Sequence, residues 1–145
     1  MRRILALAAM LLAGSAAAMP LMASKTSDMR QAIDDLTAAA MNHGMQLVKV
    51  QPIDHALVKR GFDDPHLRIA FIGSETGVRW AEAADPRLLS LFPLRLSLVQ
   101  RGDQIVVMSD DLEPWKEAFK DSPGLQVLQA WEVELGEVLQ DFAGQ

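Results

Sequence analysis

Apolar positions recur at helical spacing in two long stretches and at every second residue in three short ones. Met29, Ile33, Leu36 and Ala40 fall at i, i+4, i+7 and i+11 and predict a helix over 28–43. Asp28 with Gln31 three places later resembles a capping box, and Gly44 suits the position just past the helix. Leu128, Trp131, Leu135, Val138 and Phe142 line one face of a closing helix from about Pro123 to Phe142. Glu132, Glu134, Glu137 and Asp141 lie largely off that face, which reads as a solvated side.

The strand-like stretches are 45–51, closed by Pro52, and the alternating 67–73, 94–101 and 104–109. In the second, Leu67, Ile69 and Phe71 share one face, and Arg68, Ala70 and Ile72 the other. The last two form a hairpin around Arg101-Gly102-Asp103, a tripeptide better explained as a turn than as an adhesion motif. Asp54 suits the cap of a short helix, His55 to Arg60, ended by Gly61. Gly73 to Gly77 reads as a loop into a helix over Val78–Ala84, and Asp85-Pro86 opens a further helical turn that stops before Pro93. Glu113-Pro114-Trp115 starts a short helix with Trp115 and Phe119 at i, i+4. The expected product is one α+β domain over 19–145, with two layers and helices packed on one face of an antiparallel sheet.

The first residues read as an address. Met1-Arg2-Arg3 is followed by the unbroken apolar run Ile4–Ala13 and then by Ala16-Ala17-Ala18. Small residues three and one places before a cut suit signal peptidase, which predicts a Sec-type signal peptide over 1–18, cleaved after Ala18, with Ala23 as second choice. The apolar run is too short for the ~20 residues of a spanning helix, so no membrane span is expected after cleavage. The protein is therefore expected to be periplasmic or secreted.

Composition narrows the chemistry. The chain has 145 residues, 14 basic and 19 acidic, for a formal charge of −5, and no cysteine. The acidic balance argues against nucleic acid as a partner. The lack of cysteine excludes disulfides, thiolate metal sites and a Cys nucleophile, so an exported chain of this kind depends on packing. No cofactor is expected.

Three clusters carry candidate chemistry. Asp54-His55 pairs an acid with an imidazole that can serve as a general base or orient a ligand; the simpler reading makes Asp54 a helix cap. The Gly73-Ser74 turn leaves a strand for a helix, where backbone N–H groups can meet an anion, but the loop lacks the P-loop lysine and the dinucleotide fingerprint. Met41, His43 and Met45 offer two thioethers and an imidazole, a soft set that suits Cu(I); packing at a helix end explains them more simply. The three histidines, His43, His55 and His66, follow no zinc spacing.

Several of these segments, in order, resemble the family called domain of unknown function 302, in its exported branch. His43-Gly44-Met45 and then Ile53-Asp54-His55-Ala56 resemble its glycine, short strand and Ile-Asp-His-Ala stretch. Ile72-Gly73-Ser74 resembles its Phe-Gly-Asn-Pro segment, and Phe92-Pro93-Leu94-Arg95 its Leu-Pro-Leu-Lys. The hairpin within 96–109 and Pro114-Trp115 resemble its closing sheet and Pro-x-Trp-like turn, so the likeness covers roughly 25–120. Ser74-Glu75 replaces the family's Asn-Pro, its tyrosine is absent, and the helix 123–142 diverges. The resemblance implies a TATA-binding-protein-like arrangement, often dimeric, with an added edge strand near 20–26, for a sheet of four to five strands. It implies no reaction. A shared site would involve His55 and the Gly73-Ser74 turn.

These readings converge on a non-catalytic periplasmic binding or accessory protein, homodimeric through sheet edges or the terminal helix. It would hold a small ligand or a periplasmic protein partner near Asp54, His55, Gly73 and Ser74. The alternatives are a small enzyme using His55 as general base with Asp54 or Ser74, and a copper-binding protein using Met41, His43 and Met45.

Overall fold

A computed structural model describes residues 21–52, 59–61 and 64–144. The expected signal peptide and the Asp54-His55 pair lie outside these residues, as does most of the expected helix His55–Arg60. The described chain runs β1 (Met22–Thr26), α1 (Met29–Asn42), β2 (Gln46–Gln51), β3 (Leu67–Gly73), α2 (Glu75–Ala84), a 3-10 helix (Pro86–Leu91), β4 (Leu94–Arg101), β5 (Gln104–Ser109), α3 (Glu113–Ala118) and α4 (Gly124–Ala143). The strands form one antiparallel sheet in the order β1-β5-β4-β3-β2, and the helices lie on one side of it. The edge strand implied by the family resemblance is β1, which pairs with β5 from Met22↔Met108 to Thr26↔Gln104.

Local chemistry explains the element ends. The Asp28 side chain accepts the Gln31 backbone N–H at 2.9 Å, half of the expected capping box. The other half is not made, because the Gln31 amide turns to Asp35 at 2.8 Å. At the far end of α1, Gly44 adopts φ +72°. Its N–H donates to Met41 O and that of Met45 donates to Ala40 O, the paired bonds of a Schellman closure. In the β4–β5 hairpin Gly102 has φ +62°, and among the described residues no non-glycine is left-handed, so Gly102-Asp103 is a two-residue turn with glycine first.

The period-two pattern now acquires direction. Ala70 and Ile72 of β3, Leu94, Leu96 and Leu98 of β4, and Ile105 and Val107 of β5 point under the helices and are buried. Leu36 of α1 and Val127, Leu128, Trp131, Leu135, Val138 and Phe142 of α4 close over them. Burial of this apolar surface is the main force holding the two layers together.

One expected boundary is corrected. The segment Gly73–Gly77 is not a loop leading to a helix at Val78, because α2 already begins at Glu75. Ser74 is its N-cap, and its Oγ accepts the Gly77 N–H at 3.0 Å. The sequence hid this start because the third helical position holds glycine where a capping box would show Glu or Gln.

The acidic side of α4 is also more engaged than a solvated face. Glu132 receives Lys116 Nζ of α3 at 2.8 Å. Glu137 and Asp141 stand 3.6 and 3.4 Å from the His43 ring at the end of α1. Asp141 also accepts the Asn42 amide at 3.0 Å. These contacts fix the helices beside one another as well as onto the sheet.

Candidate functional site

The ends of β3 and β4 meet at the segment Phe92-Pro93, and a concavity lies on either side of it. Phe92 packs edge-on against Trp131, with ring centroids 4.8 Å apart at 63°. Two glycines make room for this pair. A Cβ added at Gly73 would lie 2.6 Å from the Phe92 ring, and one at Gly77 3.2 Å from it. Gly73 and Ser74 therefore have structural work of their own: one admits Phe92, the other caps α2. They also line a shallow depression with Gln46, Val48, Val78, Phe92 and Pro93.

On the other side of Phe92-Pro93 is a groove of about 330 Å³. Its walls are largely apolar, from Phe71, Leu91, Phe92, Leu112 and Trp115 among others. Trp115 is 39 % exposed on the rim, while Phe119 of the same segment is buried beneath the Arg87 guanidinium, 4.9 Å from its ring centre. One charged pair faces this groove. Arg95 of β4 grips Asp110, just beyond β5, through Nε at 3.1 Å to both oxygens and Nη2 at 2.6 Å. The Asp110 carboxylate raises the Arg95 pKa, so the guanidinium stays charged. Ser90, also in the lining, donates its hydroxyl to Arg87 O at 2.8 Å. An apolar slot with a fork of fixed polarity at its mouth is suited to hold an amphipathic molecule or side chain.

The sequence candidates are distributed as follows. Gly73 and Ser74 lie one wall away from this groove, across Phe92 and Pro93. Asp54 and His55 are outside the described residues. Met41 is 66 % exposed, whereas Met45 is buried in the core at 4 %. His43 turns to Glu137 and Asp141. These three do not present one coordinating face, which is what a shared soft metal would require. Among the described residues no group of three or more His, Asp or Glu is placed to hold a metal ion.

Sequence reading weighed Trp115 as a secondary ligand platform but did not assemble the groove residues into a site. Their signal was present: Phe92-Pro93-Leu94-Arg95 and Pro114-Trp115 are segments that carried the family resemblance, and both border the groove.

A two-layer α+β domain with a groove at the end of its sheet is thus the class of protein that fold and site define. The family described as "Domain of unknown function DUF302" matches residues 22–142, and the chain belongs to it. The match includes α4, the helix expected to diverge. The crystal structure of an uncharacterized conserved DUF302 protein from Bacillus stearothermophilus superposes with a TM-score of 0.68 at 13 % identity, covering 83 % of this chain and 97 % of that one. At that identity the likeness establishes the fold. No curated protein matches the chain.

Proposed function

We propose that this is an exported, non-catalytic binding or accessory protein, acting as a homodimer, that holds an amphipathic small ligand or partner side chain in the groove beside Phe92-Pro93. The groove itself carries the reading. Its walls are largely apolar, its charged pair is already neutralised internally, and its lining serine is committed to a backbone carbonyl. Groups so arranged bind and orient; none is poised as a nucleophile beside a base.

Export rests on the leader pattern Arg2-Arg3, Ile4–Ala13 and Ala16-Ala17-Ala18. The position of β1 supports a cut after Ala18. A cut after Ala23 would remove the first two residues of a strand that begins at Met22. No helix among the described residues is long and apolar enough to cross a membrane. Fractionation of the native cells followed by N-terminal sequencing is expected to give Met19 as the first residue of periplasmic protein. Uncleaved chain in the cytoplasm would refute export.

The groove is tested with anilinonaphthalene sulfonate, a probe with apolar rings and one anionic group. Native protein is expected to bind it saturably, and Trp115→Ala to weaken binding about tenfold with an unchanged circular dichroism spectrum. Equal affinity in both proteins, or no binding by the native one, would remove the groove from the proposal.

A further inference from the structure

Three strands bring a row of side chains together beside the groove. In register, Lys49 of β2 lies across from Phe71 of β3, and Phe71 lies across from Arg95 of β4. These side chains share the sheet face that points away from the helices, since their neighbours Ala70, Ile72, Leu94 and Leu96 are buried in the core beneath the helices. Opposed positions on neighbouring strands stand about 5 Å apart. Asp110, just beyond β5, closes the row on Arg95. Cations thus outnumber acids here, Lys49 and Arg95 against Asp110, on a chain whose formal charge is −5. Lys49 is exposed, and no carboxylate among the described residues pairs with it.

Phe71, Arg95 and Asp110 are also walls of the groove beside Phe92-Pro93. No other ionisable side chain lines it. A guanidinium has two edges of paired N–H groups, one formed by Nε and Nη2 and the other by Nη1 and Nη2, and each matches the two oxygens of a carboxylate. Asp110 occupies the first edge of Arg95, with Nε at 3.1 Å from both oxygens and Nη2 at 2.6 Å from Oδ1. Nη1 has no acceptor among the described residues. Asp110 therefore balances the charge of Arg95 and fixes its plane, but leaves the second edge unfilled. A guanidinium already held in place needs little further ordering when another carboxylate arrives. Both Asp110 oxygens are engaged with Arg95, and Lys49 adds positive potential on the same face, so the row favours an incoming anion over a cation.

The apolar part of the groove defines the rest of the molecule. Its volume of about 330 Å³ is at the low end of the ~300–1,000 Å³ of small-molecule sites. Phe71, Phe92 and Trp115 give it three aromatic walls, whose faces stack on planar groups. Phe71 stands directly beside Arg95, so the anionic group and the apolar body must be joined without a long spacer.

We propose that the groove takes a compact organic carboxylate with a planar apolar body, its two oxygens on the Nη1–Nη2 edge of Arg95 and its body among Phe71, Phe92 and Trp115. This rests on the groove reading above and adds the charge of the ligand and the residue that reads it. Arg95 is the specificity residue, and Asp110 is a positioning residue that acts through it.

The test is calorimetric titration with naphthoate, with naphthamide as a neutral body of the same shape, and with naphthylmethylammonium as a cationic one. Native protein is expected to bind naphthoate about tenfold more tightly than naphthamide. Arg95→Met is expected to abolish that preference by weakening naphthoate alone, with naphthamide affinity and the circular dichroism spectrum unchanged. Arg95→Lys keeps the charge without the paired edge and is expected to restore only part of the preference. Equal affinity of native protein for naphthoate and naphthamide, or a preference that survives Arg95→Met, would overturn the carboxylate site and leave the groove standing. Tighter binding of naphthylmethylammonium than of naphthamide would assign the polar end to Asp110 and overturn it as well. Full recovery in Arg95→Lys would overturn the two-point contact. Native protein that binds none of the three would refute the groove and this inference together.

Discussion

Trp131→Ala is expected to remove about 3–5 kcal/mol of folding free energy, the usual cost of truncating a large buried aromatic. That is a large share of the ~5–15 kcal/mol that holds a domain of this size folded. Trp131 is 1 % exposed at the centre of α4 and belongs to the core that the two layers share. Its edge-on contact with Phe92 adds a geometric element, since aromatic pairs at this separation gain beyond their buried area. The site was shaped around it: Gly73 and Gly77 are small where Phe92 lies, and Trp131 Nε1 stands 3.5 Å from where a Gly77 Cβ would be. The loss should therefore fall on stability and groove together. Urea unfolding is the measurement, with the midpoint falling sharply and the slope unchanged. A loss below ~1 kcal/mol would mean that the core repacks and that Phe92 does not depend on Trp131.

Much of the fold was legible because its elements obey local rules. β3, β4 and β5 fall at the residues where apolar positions alternate, and α1 ends at the glycine that adopts a left-handed conformation. The start of α2 was not legible, since Ser74 caps a turn whose third residue is glycine, a residue read more readily as loop. β1 carried only a weak pattern of its own, Met22 to Thr26, because a five-residue edge strand with one inward lysine barely alternates. It was reached through family resemblance instead.

The site was less legible than the fold, for a physical reason. A groove is made of residues distant in sequence: Phe71 from β3, Phe92 after the 3-10 helix, Arg95 from β4, Asp110 after β5 and Trp115 from α3. No single window shows them together. Arg95 and Asp110 are fifteen positions apart, and only the β4–β5 hairpin brings them into a two-toothed pair. Sequence reading favoured local clusters such as Asp54-His55 and Met41-His43-Met45, where the chemistry is adjacent in the chain. In the second of these the closure at Gly44 sends Met45 into the core and leaves Met41 outside.

Asp85→Asn is expected to lower the melting temperature at about pH 7 by roughly 5–10 °C, and the difference from native protein should shrink as pH falls. Asp85 caps the 3-10 helix and ties it to the start of α4. Its Oδ1 accepts Arg87 N at 3.1 Å and Nε at 3.0 Å, and its Oδ2 accepts Arg87 Nη2 and Ser122 Oγ, both at 2.6 Å. Ser122 in turn accepts the Gly124 N–H at 3.0 Å, at the first residue of α4. The Arg87 side chain, then Ser122, hold the Asp85 carboxyl well below the usual carboxylate range. The sign follows from proton binding. Below the ordinary carboxylate value the unfolded chain takes up a proton that folded Asp85 refuses, so its stabilisation is complete above that value and drains away as pH falls toward the depressed one. Asn cannot titrate, and its amide would face two donors, so the variant lacks this contribution at every pH. Glu134 acts in the other direction: burial, then the Glu137 charge, raises its carboxyl, and the folded state gains relative stability as it protonates. Both proteins carry Glu134, so its effect cancels in the comparison. Thermal melts between about pH 7 and pH 2 read the difference directly. Curves that run parallel across that range would show that the charge on Asp85 is not what joins the 3-10 helix to α4.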